Sequence, residues 1–154
     1  MKKTTILTVV LSIFTLIGMA QPGFKANIGA TQANSNFGAF TEISFVSNFV
    51  PKQSYNKLEH EVITGLVHSP VDNKTIYKIG YGMVLNKVTL SIGGALVVQK
   101  LTLENSGVNV KEKRAIVFGG EYYLAKNFYV GADYIDKGFY LKLGTKVLGN
   151  KWKK

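Results

Sequence analysis

Apolar and polar residues alternate along most of the chain beyond Gln21. In the first such segment, Phe24 and Ile28 alternate with Lys25 and Asn27. Because successive side chains of a β-strand point to opposite faces, this period of two predicts strands. Eight segments show it: Phe24–Thr31, Phe37–Phe45, Leu58–Val67, Thr75–Val84, Val88–Val98, Ala115–Tyr122, Phe128–Ile135 and Phe139–Val147.

The two faces of these segments differ sharply in charge. None of the positions on the apolar faces is Lys, Arg, Asp or Glu, and nine of the sixteen glycines fall on the opposite faces. The charged side chains of the opposite faces are Lys25, Glu42, Glu59, Glu61, Lys78, Glu121, Asp133, Lys142 and Lys146. Eight strands of about 10 residues with this alternation predict an all-β fold, an eight-stranded antiparallel up-and-down barrel whose charged face lines a narrow interior.

Short polar breaks separate several of the predicted strands. Asn86-Lys87 has the length and composition of a two-residue hairpin turn. Breaks of similar character occur at residues 125–127 (Ala-Lys-Asn) and 136–138 (Asp-Lys-Gly). They indicate antiparallel neighbours joined by tight connections.

The first 20 residues have the three parts of a secretory signal peptide. Lys2 and Lys3 precede an apolar run from Ile6 to Ile17, and Gly18-Met19-Ala20 supplies small residues before a cleavage point. We therefore expect a signal peptide over 1–20 and a single barrel domain over 21–154, with the net charge falling from +10 to +8 when the two lysines are removed. The sequence contains no cysteine, which excludes disulfides, thiolate chemistry and a lipid-modified N-terminal cysteine.

In water, a barrel of this kind would turn its apolar face inward. In a bilayer, it would turn the same face outward toward lipid. The aromatic residues favour lipid, because they fall near both ends of the predicted strands, where the headgroups of a bilayer would lie. One expected girdle contains Phe24, Phe45, Tyr122 and Phe128, and the other contains Phe37, Tyr77, Tyr134 and Phe139. A soluble barrel of the lipocalin kind, with the apolar face inward, is the alternative.

Three glycine- and aromatic-rich segments carry a resemblance to a known architecture. They are Ile79-Gly80-Tyr81-Gly82, residues 118–123 (FGGEYY) and residues 129–134 (YVGADY). With them, the region from about 23 to 148 resembles small eight-stranded outer-membrane β-barrels of the OmpA/OmpX type. The resemblance implies a transmembrane barrel in the outer membrane; such chains usually end on an aromatic residue, whereas this one ends Trp152-Lys153-Lys154.

The nine charges of the inward face are the candidate site in the lipid-exposed interpretation. In a barrel of eight strands side chains fill the interior, and charges buried there must pair or coordinate something. We expect a structural network of salt bridges that plugs the lumen. A path for an ion or a small solute is the alternative.

Other kinds of site find little support in the sequence. His60 lies on an apolar face near a strand start, and His68 lies beside Ser69-Pro70 in an expected turn, so neither forms a catalytic arrangement. We therefore expect no enzyme activity, metal or cofactor. Arg114 is the sole arginine, and the basic excess is interpreted as surface charge rather than a nucleic-acid interface.

The sequence thus predicts a monomeric integral barrel of the outer membrane of a Gram-negative-type bacterium, in contact with lipid or lipopolysaccharide. Its role would be structural, surface-interacting or a minor transport function. A soluble periplasmic or secreted barrel that binds an apolar ligand is the alternative.

Overall fold

The computed structural model describes residues 21–33, 36–49, 58–70, 73–103 and 107–148. The predicted signal peptide, residues 50–57 between β2 and β3, and the Trp152-Lys153-Lys154 terminus lie outside the described residues. No helix in the described ranges is long and apolar enough to cross a membrane. The strands are β1 (Gln21–Ala33), β2 (Asn36–Phe49), β3 (Glu59–Ser69), β4 (Lys74–Leu85), β5 (Val88–Leu103), β6 (Gly107–Tyr123), β7 (Phe128–Ile135) and β8 (Gly138–Leu148).

These strands form one closed antiparallel barrel in which each strand pairs with its neighbours in the sequence. Closure is made by β1, where Lys25 pairs with Ser44 of β2 on one side and with Lys146 of β8 on the other. The all-β, eight-stranded up-and-down fold predicted from the alternation is confirmed. We call the end with the Asn86–Lys87 turn and the 124–127 connection the lower end, and the opposite one the upper end.

Two of the predicted tight connections are two-residue turns. Asn86 has a φ of 54°, and Asp136 and Lys137 have φ values of 48° and 64°. Such left-handed residues are what short hairpins need, because they match the twist of the flanking strands. Asn and Asp tolerate this conformation better than most residues, which explains their place at these turns.

The apolar face of every strand points out of the barrel. Leu90 and Ile92 are each 54% exposed, Phe118 is 51% exposed and Val130 is 40% exposed, whereas Lys25 of the opposite face is 1% exposed. The orientation is therefore the one expected for a barrel in lipid, and it is the reverse of the lipocalin-like alternative.

The upper half of the interior holds an apolar cluster that alternation alone did not predict. Phe40 and Tyr140 pack edge to face there, with ring centroids 5.3 Å apart. We call this set the apolar cluster; it comprises Phe40, Val67, Ile76, Ala95, Val97, Val117, Ile135 and Tyr140. These residues lie on the inward face, so the upper part of the interior is largely apolar, with buried Thr31, Ser69 and Lys74 near its margin, and the part below is charged.

Strands β5 and β6 extend well beyond their neighbours. They pair with each other up to Leu103 and Gly107, but β4 reaches only Gln99 of β5 and β7 reaches only Val117 of β6. The predicted ends of these strands, Val98 and Ala115, were wrong for this reason: Lys100 and residues 110–114 are exposed on both faces of the strands, so no apolar alternation marks this part of the chain. We call residues 100–103 and 107–116 the β5–β6 ribbon.

Candidate functional site: the charged interior

Lys25 lies at the centre of the charged interior. Its Nζ is 2.7 Å from Glu61 Oε1 and 2.7 Å from Glu121 Oε2, so one lysine of β1 joins strands β3 and β6 across the lumen. The ammonium also lies 5.6 Å from the centre of the Tyr129 ring. Both carboxylates are buried, and the hydrogen bonds to Lys25 replace part of the water that burial removes.

The pairing continues from both of these carboxylates. The second oxygen of Glu61 accepts a hydrogen bond of 2.7 Å from Lys146 Nζ. On the other side, Glu121 Oε1 lies 3.1 Å from Lys142 Nζ. Each carboxylate therefore uses its two oxygens for two different lysines.

Lys142 extends the series toward the middle of the barrel. Its Nζ is 2.9 Å from Asp133 Oδ1, and Asp133 Oδ2 is 2.7 Å from Lys78 Nζ. Lys78 in turn lies 2.6 Å from Glu42 Oε1, which also accepts a hydrogen bond of 2.6 Å from Ser44. Glu42 is the last member of the series.

These contacts form one unbroken alternation of lysines and carboxylates, which we call the charge chain. Its order is Lys146, Glu61, Lys25, Glu121, Lys142, Asp133, Lys78 and Glu42. The formal charges cancel, and the members come from every strand except β5. Buried charges are tolerated when each is paired with an opposite charge and is hydrogen-bonded. Every member of the charge chain has at least one such partner.

Glu59 is the one predicted lumen charge that lies apart from the charge chain. It is half-buried at the lower end, where Asn48 Nδ2 donates a hydrogen bond of 3.4 Å to Glu59 Oε2. It lines a half-open cavity of about 710 Å³ together with Lys87 and Lys126. Glu59 thus belongs to the entrance of the barrel rather than to its sealed interior.

Glycines on the inward face provide the space that the charge chain needs. A Cβ on Gly131 would lie 3.1 Å from Glu121 Cγ and 3.1 Å from Lys142 Cε. A Cβ on Gly82 would lie 2.8 Å from Glu61 Cγ. Any larger residue there would displace members of the charge chain, because the interior is already filled.

The predicted aromatic residues lie near the two ends of the barrel and point outward. Phe24 and Phe45 pack edge to face at the lower end with centroids 5.5 Å apart, and Tyr134 and Phe139 lie 5.0 Å apart at the upper end. Phe45 is half-buried. The exposed members are Phe24, Phe37, Tyr77, Tyr122, Phe128, Tyr134 and Phe139.

Neither histidine lies in the charged interior. His60 is half-buried on the outer face, where its Nδ1 shares a hydrogen bond with the Tyr81 hydroxyl. His68 is exposed, with Nδ1 3.4 Å from Thr75 Oγ1, and it lies within β3 rather than in the predicted turn. The described ranges contain no group of three or more His, Asp or Glu residues arranged to hold a metal ion.

Sequence reasoning did not identify two features of the site. The aromatic Tyr129 lies on the inward face, and its hydroxyl donates a hydrogen bond to Asn27 beside the charge chain. The apolar cluster lies in the lumen above the charges. The alternation placed Phe40, Val97 and Tyr129 on the inward face, but which inward side chains pack together depends on the closed barrel.

Comparisons with known proteins found solved structures but no family or curated relative. No family model and no curated protein matches the chain. A structure described as a de novo designed transmembrane β-barrel is 10% identical with a TM-score of 0.48, covering 81% of this chain and 95% of that one. Ail, the attachment invasion locus protein of Yersinia pestis, solved with a heparin analogue, is 11% identical with a TM-score of 0.44, covering 83% and 97%.

A third match is Neisserial surface protein A, with 13% identity, a TM-score of 0.40 and coverage of 83% of this chain and 96% of that one. All three TM-scores are below 0.5. The closed pairing of the eight strands defines the barrel fold. That barrel, apolar outside and charged inside, has the architecture of small outer-membrane β-barrels.

Proposed function

We propose that this protein is an integral barrel of the outer membrane of a Gram-negative-type bacterium, held in lipid by its strands. The observation that carries the proposal is the apolar outer face, with large exposed side chains such as Ile28, Leu90 and Leu141 on every strand. In water such a continuous surface would drive association, because monomeric soluble proteins rarely expose large apolar patches. In a bilayer the same surface contacts acyl chains that are themselves apolar.

The aromatic side chains at the two ends support this placement. Tyr and Trp are enriched where the hydrocarbon core meets the headgroups, since their rings are apolar and their polar atoms reach water. Tyr77 and Tyr134 at the upper end and Tyr122 at the lower end occupy such positions and are exposed. The exposed outer surface therefore has an apolar band, with aromatic residues at its upper and lower margins.

The interior supports a structural plug rather than a path for solutes. The charge chain fills the lower and middle lumen, and the apolar cluster, including Phe40 and Tyr140, fills the upper part. A conducting path needs water or weakly held sites along its whole length. We assign the protein a structural or surface-interaction role, without enzyme activity or cofactor, as a monomer in contact with outer-membrane lipid or lipopolysaccharide.

Membrane fractionation tests the location. We expect the protein to stay with outer-membrane vesicles after washing with carbonate and with high salt, and to require detergent for extraction. The folded barrel should also migrate differently on gels with and without boiling. A periplasmic protein from the same cells is the control, and release by carbonate as a detergent-free monomer would contradict the proposal.

Stability and conductance together test the plug. Replacing Glu121 with leucine leaves Lys25 and Lys142 each short of one partner, so the barrel should lose stability while planar bilayers stay non-conducting. Unchanged stability with a new or altered ion conductance would favour a path instead. Leu124→Ala, in the exposed lower connection, is the control that should change neither property.

A further inference from the structure

Strand β6 has a long free edge in the β5–β6 ribbon. From Gly107 to Ile116 it pairs with β5 on one side, while its pairing with β7 begins only at Val117. Within the described ranges, the other edge of this stretch therefore has no neighbouring strand. An edge of this kind presents unpaired N–H and C=O groups to the surroundings and can accept a further strand.

The side chains along this edge are mainly basic. Lys111, Lys113 and Arg114 are exposed, with Glu112 as the acidic residue among them, and exposed Lys100 lies across the ribbon on β5. Charged residues on an edge strand protect it from pairing with a copy of itself. A second copy would bring two sets of basic side chains together, whereas an acidic strand would place opposite charges beside Lys111, Lys113 and Arg114.

We infer that the free edge of β6 binds an extended acidic segment of another protein by strand addition. In this mode backbone hydrogen bonds supply affinity, and alternate side chains supply specificity. Lys111 and Lys113 lie on one face of the strand and Arg114 on the other. Acidic residues on either face of the incoming strand would therefore meet a cation.

Lys113 forms an ion pair within the barrel that reduces its contribution to binding an acidic strand. Its Nζ pairs with Asp136 in the turn between β7 and β8, and the lysine side chain is still 52% exposed. Binding at Lys113 must compete with Asp136. Lys111 and Arg114 are for this reason the residues that the test should change.

The probe is a fluorescent peptide of about ten residues in which pairs of Glu alternate with pairs of Thr, so that both faces of the strand carry Glu, added to the full barrel in detergent. A peptide of the same length with Lys in place of Glu is the reference. We expect the acidic peptide to bind, measured by anisotropy, and to slow amide hydrogen exchange in residues 107–116. Because the barrel is solubilised, the result does not depend on its location in the cell.

A double charge reversal provides the decisive variant. Lys111→Glu with Arg114→Glu should weaken binding of the acidic peptide by about tenfold, since two cross-strand attractions become repulsions. The same variant should gain binding of the basic peptide. The matched control is Lys87→Glu with Lys126→Glu, which makes an equal change of charge on exposed residues at the lower end and should leave binding unchanged.

Several outcomes would overturn the inference. One is no binding of the acidic peptide, and another is binding without slower exchange in residues 107–116. Binding of heparin fragments in place of the peptide, without that protection, would show a surface for polyanions rather than a strand site. A dimer cross-linked through β6 would show that the partner is a second copy.

Discussion

Lys25 and Glu61 form an ion pair of 2.7 Å across the barrel, and their side chains are 1% and 0% exposed. The two residues come from strands that are not neighbours, so the bond crosses the lumen instead of following the wall. Since neither charge reaches water, each is compensated by buried partners: Lys25 also pairs with Glu121, and Glu61 also pairs with Lys146. Their pairing makes the interior a single connected unit.

Removing Lys25 should destabilise the barrel strongly. Lys25→Met leaves Glu61 with Lys146 and Glu121 with Lys142, so the interior keeps one uncompensated negative charge. We expect a loss of about 3–5 kcal/mol in the free energy of unfolding. Urea titration of the refolded barrel in lipid vesicles measures it.

Lys87→Met is the control for this substitution. Lys87 is exposed in the turn between β4 and β5, so its removal should cost less than about 0.5 kcal/mol. Equal stability of Lys25→Met and Lys87→Met would show that the charge chain contributes nothing to folding.

Lys78 and Glu42 form one end of the charge chain. Replacing both should destabilise the barrel less than replacing Lys78 alone. Lys78→Met alone leaves Glu42 with only the Ser44 hydroxyl, whereas Lys78→Met with Glu42→Gln leaves every remaining charge with a partner. We expect the double variant to be at least about 1 kcal/mol more stable than Lys78→Met. A double-mutant cycle from urea titrations measures the coupling, and strictly additive effects would argue against it.

Two glycines in the wall should differ in how far they tolerate an added methyl group. A Cβ on Gly144 would contact Asn27 Oδ1 and lie 2.6 Å from Tyr129 Cζ, whereas Gly94 faces outward with nothing within 4 Å. Gly144→Ala should cost about 1–3 kcal/mol through overpacking. Gly94→Ala should be neutral, and thermal unfolding compares the two; a tolerated Gly144→Ala would mean that the interior is loosely filled.

A charge on the outer face separates a lipid environment from water. Ile92 lies on the apolar band and is 54% exposed, while Leu124 is exposed in the lower connection. In a bilayer Ile92→Arg should cost about 2–4 kcal/mol, and Leu124→Arg about 0–1 kcal/mol because it lies near the membrane surface. Refolding equilibria in vesicles measure both.

The soluble alternative predicts a different result for Ile92→Arg. On a water-exposed surface the substitution should change stability by less than about 0.5 kcal/mol. It should also improve solubility without detergent. Either result would count against lipid contact at this face.

The alternation of residue types predicted the strands and their faces without any tertiary information. Phe128–Ile135 matches β7 at both ends, and Asn86-Lys87 is a turn as predicted. These are local properties: the period of two follows from the geometry of a single strand, and a tight turn needs only its own two residues.

The partners in the interior depend on how the barrel closes, and the sequence alone did not determine them. Alternation placed Lys25 and Glu59 on the same face, but only the register of the closed barrel brings Lys25 to Glu61 and Glu121 while leaving Glu59 at the lower entrance. Residues far apart in the chain become neighbours through strand tilt and stagger, which are properties of the whole sheet. The same closure ends before the β5–β6 ribbon, because strands β4 and β7 are too short to follow it. The sequence by itself thus determined which side chains share a face, and the tertiary structure decided which of them touch.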